Sequence, residues 1–251
     1  MLGEVTNLYQ AILKSTKHRE FPLPNRSWIL TQRWHHLLFI HLPFPKDAIK
    51  AHLPEGLELD TYDGMAWISI IPFKVTGMRL RNMPAIPYLS AYLELNVRTY
   101  VKREGTSGVY FFSLDADKLL PVLGARMITL PYFHANMKMK KQKDLFYFES
   151  NRKSHSEYSF NGSYQPISKP YYPEKHSLSN WLLERYALWT YKYGVLFRGD
   201  IHHTPLEVHD AEVIIEKNTM LPFPFDDNGE IQLFHYASCK RVLIWPIRRV
   251  E

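Results

Sequence analysis

Hydrophobic and polar residues alternate strictly between Tyr92 and Val101. One side of the predicted strand carries Leu93, Leu95, Val97, Thr99 and Val101. The other side carries Tyr92, Glu94, Asn96, Arg98 and Tyr100. A glycine-containing turn at 104–108 and an apolar run at 109–114 follow, which together predict a β-hairpin. Alternation alone does not say whether the polar side faces solvent or an interior.

Two main helices are predicted, one near Asp117–Thr129 and one at Ser177–Tyr186. Asp115 or Asp117 is a suitable N-cap for the first helix, and Pro131 marks its end. Ser177 or Ser179 is suited to cap the second helix. Shorter helical patterns cover 5–14 and 46–52.

The remaining pattern is that of strands, which cover 28–42, 57–62, 65–73, 133–139, 145–151, 155–163, 194–202, 206–217 and 231–245. Asp63-Gly64 is a strong signal for a tight hairpin between two of them. Pro72 is expected to end its strand or to place it at an edge of the sheet. The prediction is an α+β, strand-dominated fold in one domain over 1–251, in which 1–27 form an N-terminal helix and a connection.

Composition narrows the class of protein. The single cysteine, Cys239, excludes an intramolecular disulfide framework. No signal peptide is recognisable, and no apolar run reaches the roughly 18 residues of a membrane span, so a cytoplasmic protein of bacterial type without a membrane partner is expected. The net charge of +6 includes the lysines of 138–143, which lie between two predicted strands, where a solvated hairpin tip collects lysine. We therefore expect no nucleic-acid partner, and a homo-oligomer is compatible with these features.

Several segments resemble a known family. They are LDTYDGMAWISIIPF at 59–73, ELNVRTYV at 94–101, GVYFFSLDA at 108–116, LPYFHA at 130–135 and LLERYALW at 182–189. Over 28–247 the chain resembles the YqjF-like bacterial family, a domain of unknown function in the acetoacetate decarboxylase-like superfamily. The resemblance implies a bent antiparallel or mixed sheet that closes like a barrel around a central cavity. It supplies no reaction.

The resemblance also implies which residues form a site, because the equivalent strand in the superfamily carries a glutamate into the cavity. Glu94 and His134 are the candidate catalytic residues. The candidate ligand-binding residues are Asn96, Arg98, Tyr100, Arg126 and Tyr132. Glu94 and Arg98 are separated by four residues, roughly 13 Å at about 3.3 Å per residue, so they cannot neutralise each other directly. Each needs another partner, water or ligand.

The superfamily's catalytic lysine has no counterpart in this chain. In acetoacetate decarboxylases, a motif beginning Gly-Arg-Glu leads along a helix into a proline and the lysine that forms the Schiff base. The similar segment here is GARMITLPYFH at 124–134, which ends in Tyr132, Phe133 and His134. None of these side chains can form an imine. We therefore expect no decarboxylation of β-keto acids by that route.

The twelve histidines do not predict a metal site. In the pairs His35-His36 and His202-His203, neighbouring residues of a strand point to opposite faces. No spacing typical of a zinc site is present, so neither a metal nor another cofactor is expected.

The sequence thus favours a small-molecule-binding protein whose polar cavity takes an anionic or carbonyl-bearing ligand. One alternative is an enzyme without a Schiff base, which uses acid–base chemistry at Glu94 and His134 or Tyr132 on a keto acid-like substrate. Another alternative is a protein-interaction scaffold, since a fold does not fix a function. Whether the protein is an enzyme stays open at this stage.

Overall fold

The computed structural model describes residues 2–87, 90–118, 129–223 and 232–250. Thirteen strands dominate these residues. The strands are β1 (Leu30–Phe44), β2 (Glu58–Leu59), β3 (Ala66–Leu80), β4 (Tyr92–Arg103), β5 (Thr106–Ala116), β6 (Tyr132–Gln142), β7 (Leu145–Arg152), β8 (Ser159–Pro166), β9 (Ala187–Lys192), β10 (Val195–His202), β11 (His209–Asn218), β12 (Leu233–Ile244) and β13 (Arg248–Arg249). The described helices are α1 (Leu2–Lys14), α2 (Lys46–Lys50) and α3 (Leu178–Leu183).

The sheet closes on itself. Its strands follow the order β5-β6-β7-β8-β11-β12-β1-β3-β4, and pairing of β4 with β5 completes the ring. Strand β5 runs parallel to β6 and to β9, whereas the other pairs are antiparallel. The predicted strand-dominated, mixed and barrel-like fold is therefore confirmed. A second, smaller ring arises because β9 and β10 bridge from β5 to β12.

Strand β4 lies between two apolar regions. Leu95 and Val97 are fully buried in a core with Ile40, Phe148 and other side chains of β1, β3, β7 and β8. Because side chains alternate along a strand, Glu94, Asn96 and Arg98 project to the opposite side, into the smaller ring.

A bulge in β1 explains why Pro72 is tolerated inside a central strand. Strand β3 continues through Pro72 to Leu80 between β1 and β4, so the expectation that Pro72 ends the strand or lies at an edge was wrong. The pairing of β1 with β3 is interrupted between His35 and Ile40, opposite Pro72, and His36 takes a positive φ of 53° there. The missing N–H of proline therefore costs no ladder hydrogen bond.

The two tight turns behave differently. Glu104 and Gly105 have φ of 49° and 73° and connect β4 directly to β5. Asp63 and Gly64 also have positive φ, of 48° and 83°, as the hairpin signal predicts. However, that hairpin extends only to one bridge between Tyr62 and Met65, because β2 pairs with β4 instead of β3.

The helices agree in part with the sequence pattern. Ser177 caps α3 by accepting a hydrogen bond from the Asn180 backbone N–H. The helix ends at Leu183 instead of Tyr186, since Glu184 leaves the helical region and β9 begins at Ala187. The helix predicted near Asp117–Thr129 falls almost wholly on 119–128, outside the described residues. The longest described helix is α1, whose Ile12 packs with Trp28, Leu243 and Trp245.

In the described portion of the chain, none of the helices has the length and apolar character needed to span a bilayer.

Candidate functional site

A pocket of about 370 Å³ lies inside the smaller ring. Its walls come from β1, β3, β4, β5, β6, β9, β10 and β12, and most of the lining side chains are apolar. The polar or ionisable side chains of the lining are those of Gln32, Trp34, Glu94, Asn96, Arg98, Tyr132, Arg185 and Trp245. Pockets of this kind, apolar with a few convergent polar groups, are typical small-molecule sites.

A bulge in β5 keeps the polar stripe of β4 opposite apolar pocket residues. Arg98 pairs with Phe111 and Asn96 pairs with Leu114, although two residues lie between Phe111 and Leu114 and only one between Asn96 and Arg98. The extra residue lets both Phe111 and Leu114 line the pocket.

Glu94 is the buried carboxylate of the pocket, with 5% of its surface exposed. Burial raises its pKa to about 7, because an ionised carboxylate loses solvation there. Hydrogen bonds from Tyr132, Asn96 and Tyr92 act in the opposite direction by stabilising the charged form. The distance from Tyr132 Oη to Glu94 Oε2 is 3.3 Å. Glu94 can therefore exist in either protonation state near neutral pH.

A chain of hydrogen bonds with fixed direction leads to Glu94. Trp34 Nε1 donates to Gln32 Oε1 over 2.9 Å, and Gln32 Nε2 donates to Tyr92 Oη over 2.9 Å. An indole nitrogen can only donate, so it fixes which end of the Gln32 amide is the acceptor. The Tyr92 oxygen accepts from Gln32, which leaves its own proton for the bond to Glu94. Trp34 thus influences a carboxylate that it does not contact.

Arg98 supplies positive charge at the other end of the polar stripe. Its Nη2 donates to the Leu182 carbonyl over 3.2 Å, and its guanidinium carbon lies 5.7 Å from the centre of the Tyr100 ring. Within 2–87, 90–118, 129–223 and 232–250, no carboxylate forms a salt bridge with Arg98, and its buried Nε has no hydrogen-bond acceptor. A guanidinium offers only hydrogen-bond donors and carries a positive charge, which suits it to an anion.

Arg185 also lines the pocket, but unlike Arg98 it has a carboxylate partner. Its Nη1 lies 2.7 Å from Oδ2 of the buried Asp60, and Lys102 Nζ lies 2.8 Å from the other oxygen. The guanidinium is stacked against Trp181 at 4.2 Å and against Tyr100 at 5.2 Å. This geometry makes Arg185 a rigid part of the wall.

The structure separates the predicted site residues into three groups. Glu94, Asn96, Arg98 and Tyr132 line the pocket together. Tyr100 and His134 are not part of the described lining. Arg126 lies outside the described residues.

Tyr100 belongs to a buried hydrogen-bond cluster behind the pocket wall. Its hydroxyl lies 2.5 Å from Ser69 Oγ, which in turn lies 2.7 Å from His41 Nδ1. Burial lowers the pKa of His41 well below its ordinary value, and the neighbouring His235 and Arg98 lower it further. The Tyr100 ring also contacts the guanidinium groups of Arg98 and Arg185 and supports both side chains from behind the pocket wall.

Several residues of the lining were not predicted from the sequence, among them Gln32, Trp34 and Arg185. Gln32 and Trp34 share one face of β1, so alternation offered a signal for them. Before the bulge at His36 the even-numbered residues of β1 face the pocket, and after it the odd-numbered residues Leu37 and Phe39 do. A regular alternation along the sequence does not show this reversal.

The described lining includes two arginines but no lysine. Tyr132 follows Pro131 where the superfamily resemblance would place the catalytic segment, and its hydroxyl points to Glu94. Across the described ranges, no three His, Cys, Asp or Glu side chains are grouped so as to hold a metal ion.

Comparisons with solved structures agree with the barrel. The structure is similar to the enduracididine biosynthesis enzyme MppR complexed with pyruvate, with a TM-score of 0.60, 11% identity and coverage of 92% of this chain and 93% of that one. It is also similar to an acetoacetate decarboxylase-like enzyme from Sphingomonas wittichii RW1, with a TM-score of 0.59, 12% identity and coverage of 94% and 99%. For the acetoacetate decarboxylase from Legionella pneumophila the TM-score is 0.58, at 14% identity and coverage of 96% and 95%. At such identities the likeness concerns the fold.

Sequence comparison identifies the family. The chain is 44% identical over 239 residues to the uncharacterized protein YqjF of Bacillus subtilis (strain 168). The matched residues cover 93% of this chain and 97% of that protein. The family model DUF2071, described as an uncharacterized conserved protein, matches residues 31–238. The resemblance to the YqjF-like family is thereby confirmed, and the chain belongs to the DUF2071 family.

Proposed function

We propose that this protein binds an anionic or carbonyl-bearing small molecule in the pocket of the smaller ring. Arg98 holds the anionic group, and Glu94 with Tyr132 meets a polar group of the ligand. The observation that carries the proposal is the charge of Arg98, a pocket-lining guanidinium without a carboxylate partner among the described residues.

The energetics of burial support this role for Arg98. A charge in an apolar environment is costly unless it is paired and hydrogen-bonded. Arg185 in the same pocket is paired with Asp60, whereas among the described residues Arg98 donates a hydrogen bond only to the neutral Leu182 carbonyl. A carboxylate ligand would supply the missing counter-charge, and a guanidinium can bind it through two parallel hydrogen bonds.

Glu94 suits a carbonyl or hydroxyl group. A carboxyl group with a pKa of about 7 is partly protonated at neutral pH, so it can donate to a carbonyl or accept from a hydroxyl. One protein of similar fold is described as complexed with pyruvate, a carboxylate that bears a carbonyl, and this agrees with the proposed ligand class.

Calorimetric titration with a 2-oxo acid tests the proposal at Arg98. We expect Arg98→Met to weaken binding by about 10- to 100-fold, because a hydrogen bond to a charged group contributes about 1.5–3 kcal/mol. Arg249→Met removes an exposed arginine of β13 and is the matched control, which should bind like the parent protein. Equal affinity of the Arg98→Met variant and the control would exclude Arg98 as the anion-holding residue.

A second candidate function is acid–base catalysis without a Schiff base. The observation in its favour is that Glu94 has a pKa near neutrality and a hydrogen bond from Tyr132. Since His134 is not in the described lining, Tyr132 takes the role of the second group. Exchange of the hydrogens next to the ligand carbonyl in heavy water, followed by NMR, tests this candidate. Exchange that is abolished in Glu94→Gln indicates catalysis, and binding without exchange indicates a binding protein.

A further inference from the structure

The polar lining of the pocket is formed by the stripe on β4 together with Gln32, Trp34, Tyr132 and Arg185, and the rest of its wall is mainly apolar. The strands farthest from β4 around the smaller ring are β10 and β12, which contribute Ile201 and Ile244. The strands nearest to β4 contribute Phe73 and Leu114. A ligand made only of a carboxylate and a carbonyl would leave most of this surface in contact with water.

The size of the pocket sets the size of the ligand. A volume of about 370 Å³ falls within the range of about 300–1,000 Å³ that is typical of sites for small organic molecules. A β-keto acid of four carbons is small for such a site.

We infer that the ligand is an elongated monocarboxylate larger than a four-carbon keto acid, with its carboxylate on Arg98 and a mainly apolar body against the apolar walls of the pocket. This inference rests on the proposed function, because it assigns the anion to Arg98. The apolar body replaces water against Phe73, Leu114, Ile201 and Ile244 and contributes the hydrophobic part of the affinity.

A chain-length series of straight-chain fatty acids from four to fourteen carbons tests the inference by calorimetric titration. Each buried methylene contributes about 0.8 kcal/mol, so affinity should rise about fourfold per carbon. The rise should stop at the chain length that fills the pocket. Longer acids should bind more weakly because they no longer fit.

Enlargement of the far wall should move this optimum. Ile201→Ala removes three carbon atoms from the wall opposite β4 and should shift the best chain length upward. Ile201→Val is the milder variant if the alanine variant folds poorly, and it should give a smaller upward shift. Ile214→Ala, on the exposed side of β11, is the matched control and should leave the optimum unchanged.

The results separate the two proposals. If a four-carbon keto acid binds through Arg98 but affinity does not change with chain length, the proposed function stands and the inference of an elongated ligand is wrong. If affinity follows chain length and Arg98→Met binds every acid as well as the parent protein does, the assignment of the anion to Arg98 fails together with the inference. An optimum that does not move in either Ile201 variant also contradicts the inference.

Discussion

Tyr132 donates a hydrogen bond to Glu94 across 3.3 Å, although the two residues lie on strands β6 and β4, which are separated by β5. The bond forms because β5 runs parallel to β6 and places Tyr132 beside Leu114, whose antiparallel partner is Asn96. A carboxylate and a phenol that are distant in sequence thereby share one wall of the pocket.

Tyr132→Phe should raise the pKa of Glu94 above its present value of about 7, because the hydroxyl stabilises the ionised carboxylate. A lost hydrogen bond to a charged group corresponds to about one pH unit or more. Carbon-13 NMR of labelled glutamate would give the pKa directly. Tyr164→Phe removes a buried hydroxyl that donates to the His36 carbonyl, and this control should leave the Glu94 pKa unchanged.

Trp34→Phe should also raise the pKa of Glu94, although Trp34 is not a hydrogen-bond partner of that residue. Without the indole donor, the Gln32 amide is free to turn its oxygen toward Tyr92. Tyr92 would then donate to Gln32 and no longer to Glu94, which would lose one stabilising bond. The same NMR titration measures the effect. If the Glu94 pKa rises in Tyr132→Phe but stays the same in Trp34→Phe, the direction of the hydrogen bonds from Trp34 through Gln32 and Tyr92 does not influence that pKa.

Glu94→Gln should change how stability depends on pH. The folded pKa of about 7 lies above the ordinary value of 4.5, so the folded state holds this proton more tightly than the unfolded chain. The stabilisation is complete below pH 4.5 and is lost as the pH rises through 7. Between pH 5 and pH 8 the parent protein should therefore lose, from this group, on the order of 3 kcal/mol of unfolding free energy that the variant does not lose. Urea unfolding of both proteins at the two pH values measures the difference.

His235→Gln should reduce the loss of stability in acid. Burial lowers the pKa of His235 to about 4, so the folded state binds this proton later than the unfolded chain, whose histidine has a pKa near 6.5. The contribution is fully present above pH 6.5 and declines as the pH falls toward 4. Glutamine can keep the bond from the Nε2 position to Ser179, which is 3.0 Å long. Urea unfolding at pH 7 and pH 4.5 should show a smaller decrease than in the parent, whereas His52→Gln, at an exposed position, should behave like the parent.

Treatment with a β-keto acid and borohydride should give no covalent adduct, and carbon dioxide release should stay at background. The reason is that an imine requires an amine with a lowered pKa, and the described pocket lining contains arginine and no lysine. Mass spectrometry of the reduced protein checks this expectation. A stoichiometric adduct on any one lysine would make the protein a covalent enzyme.

The sequence alone predicted the strand-dominated fold, because alternating side chains report directly which residues share one face of a strand. The same alternation placed Glu94, Asn96 and Arg98 on one side of β4, and the cap of α3 is Ser177, one of the two serines that the sequence offered for it. Local rules were sufficient in these cases, since each depends on residues that are neighbours in the chain.

Only the tertiary structure decided which side of β4 faces the pocket and which distant residues meet it. Tyr132 bonds to Glu94, and Gln32, Trp34 and Arg185 join the same pocket lining, through ring closure and through the bulges of β1 and β5. The bulge at His36 reverses the parity of β1 and makes room for Pro72, and pairing of β2 with β4 limits the Asp63-Gly64 hairpin to one bridge. Such features depend on the energy of packing between strands that are far apart in sequence, which a local pattern does not contain.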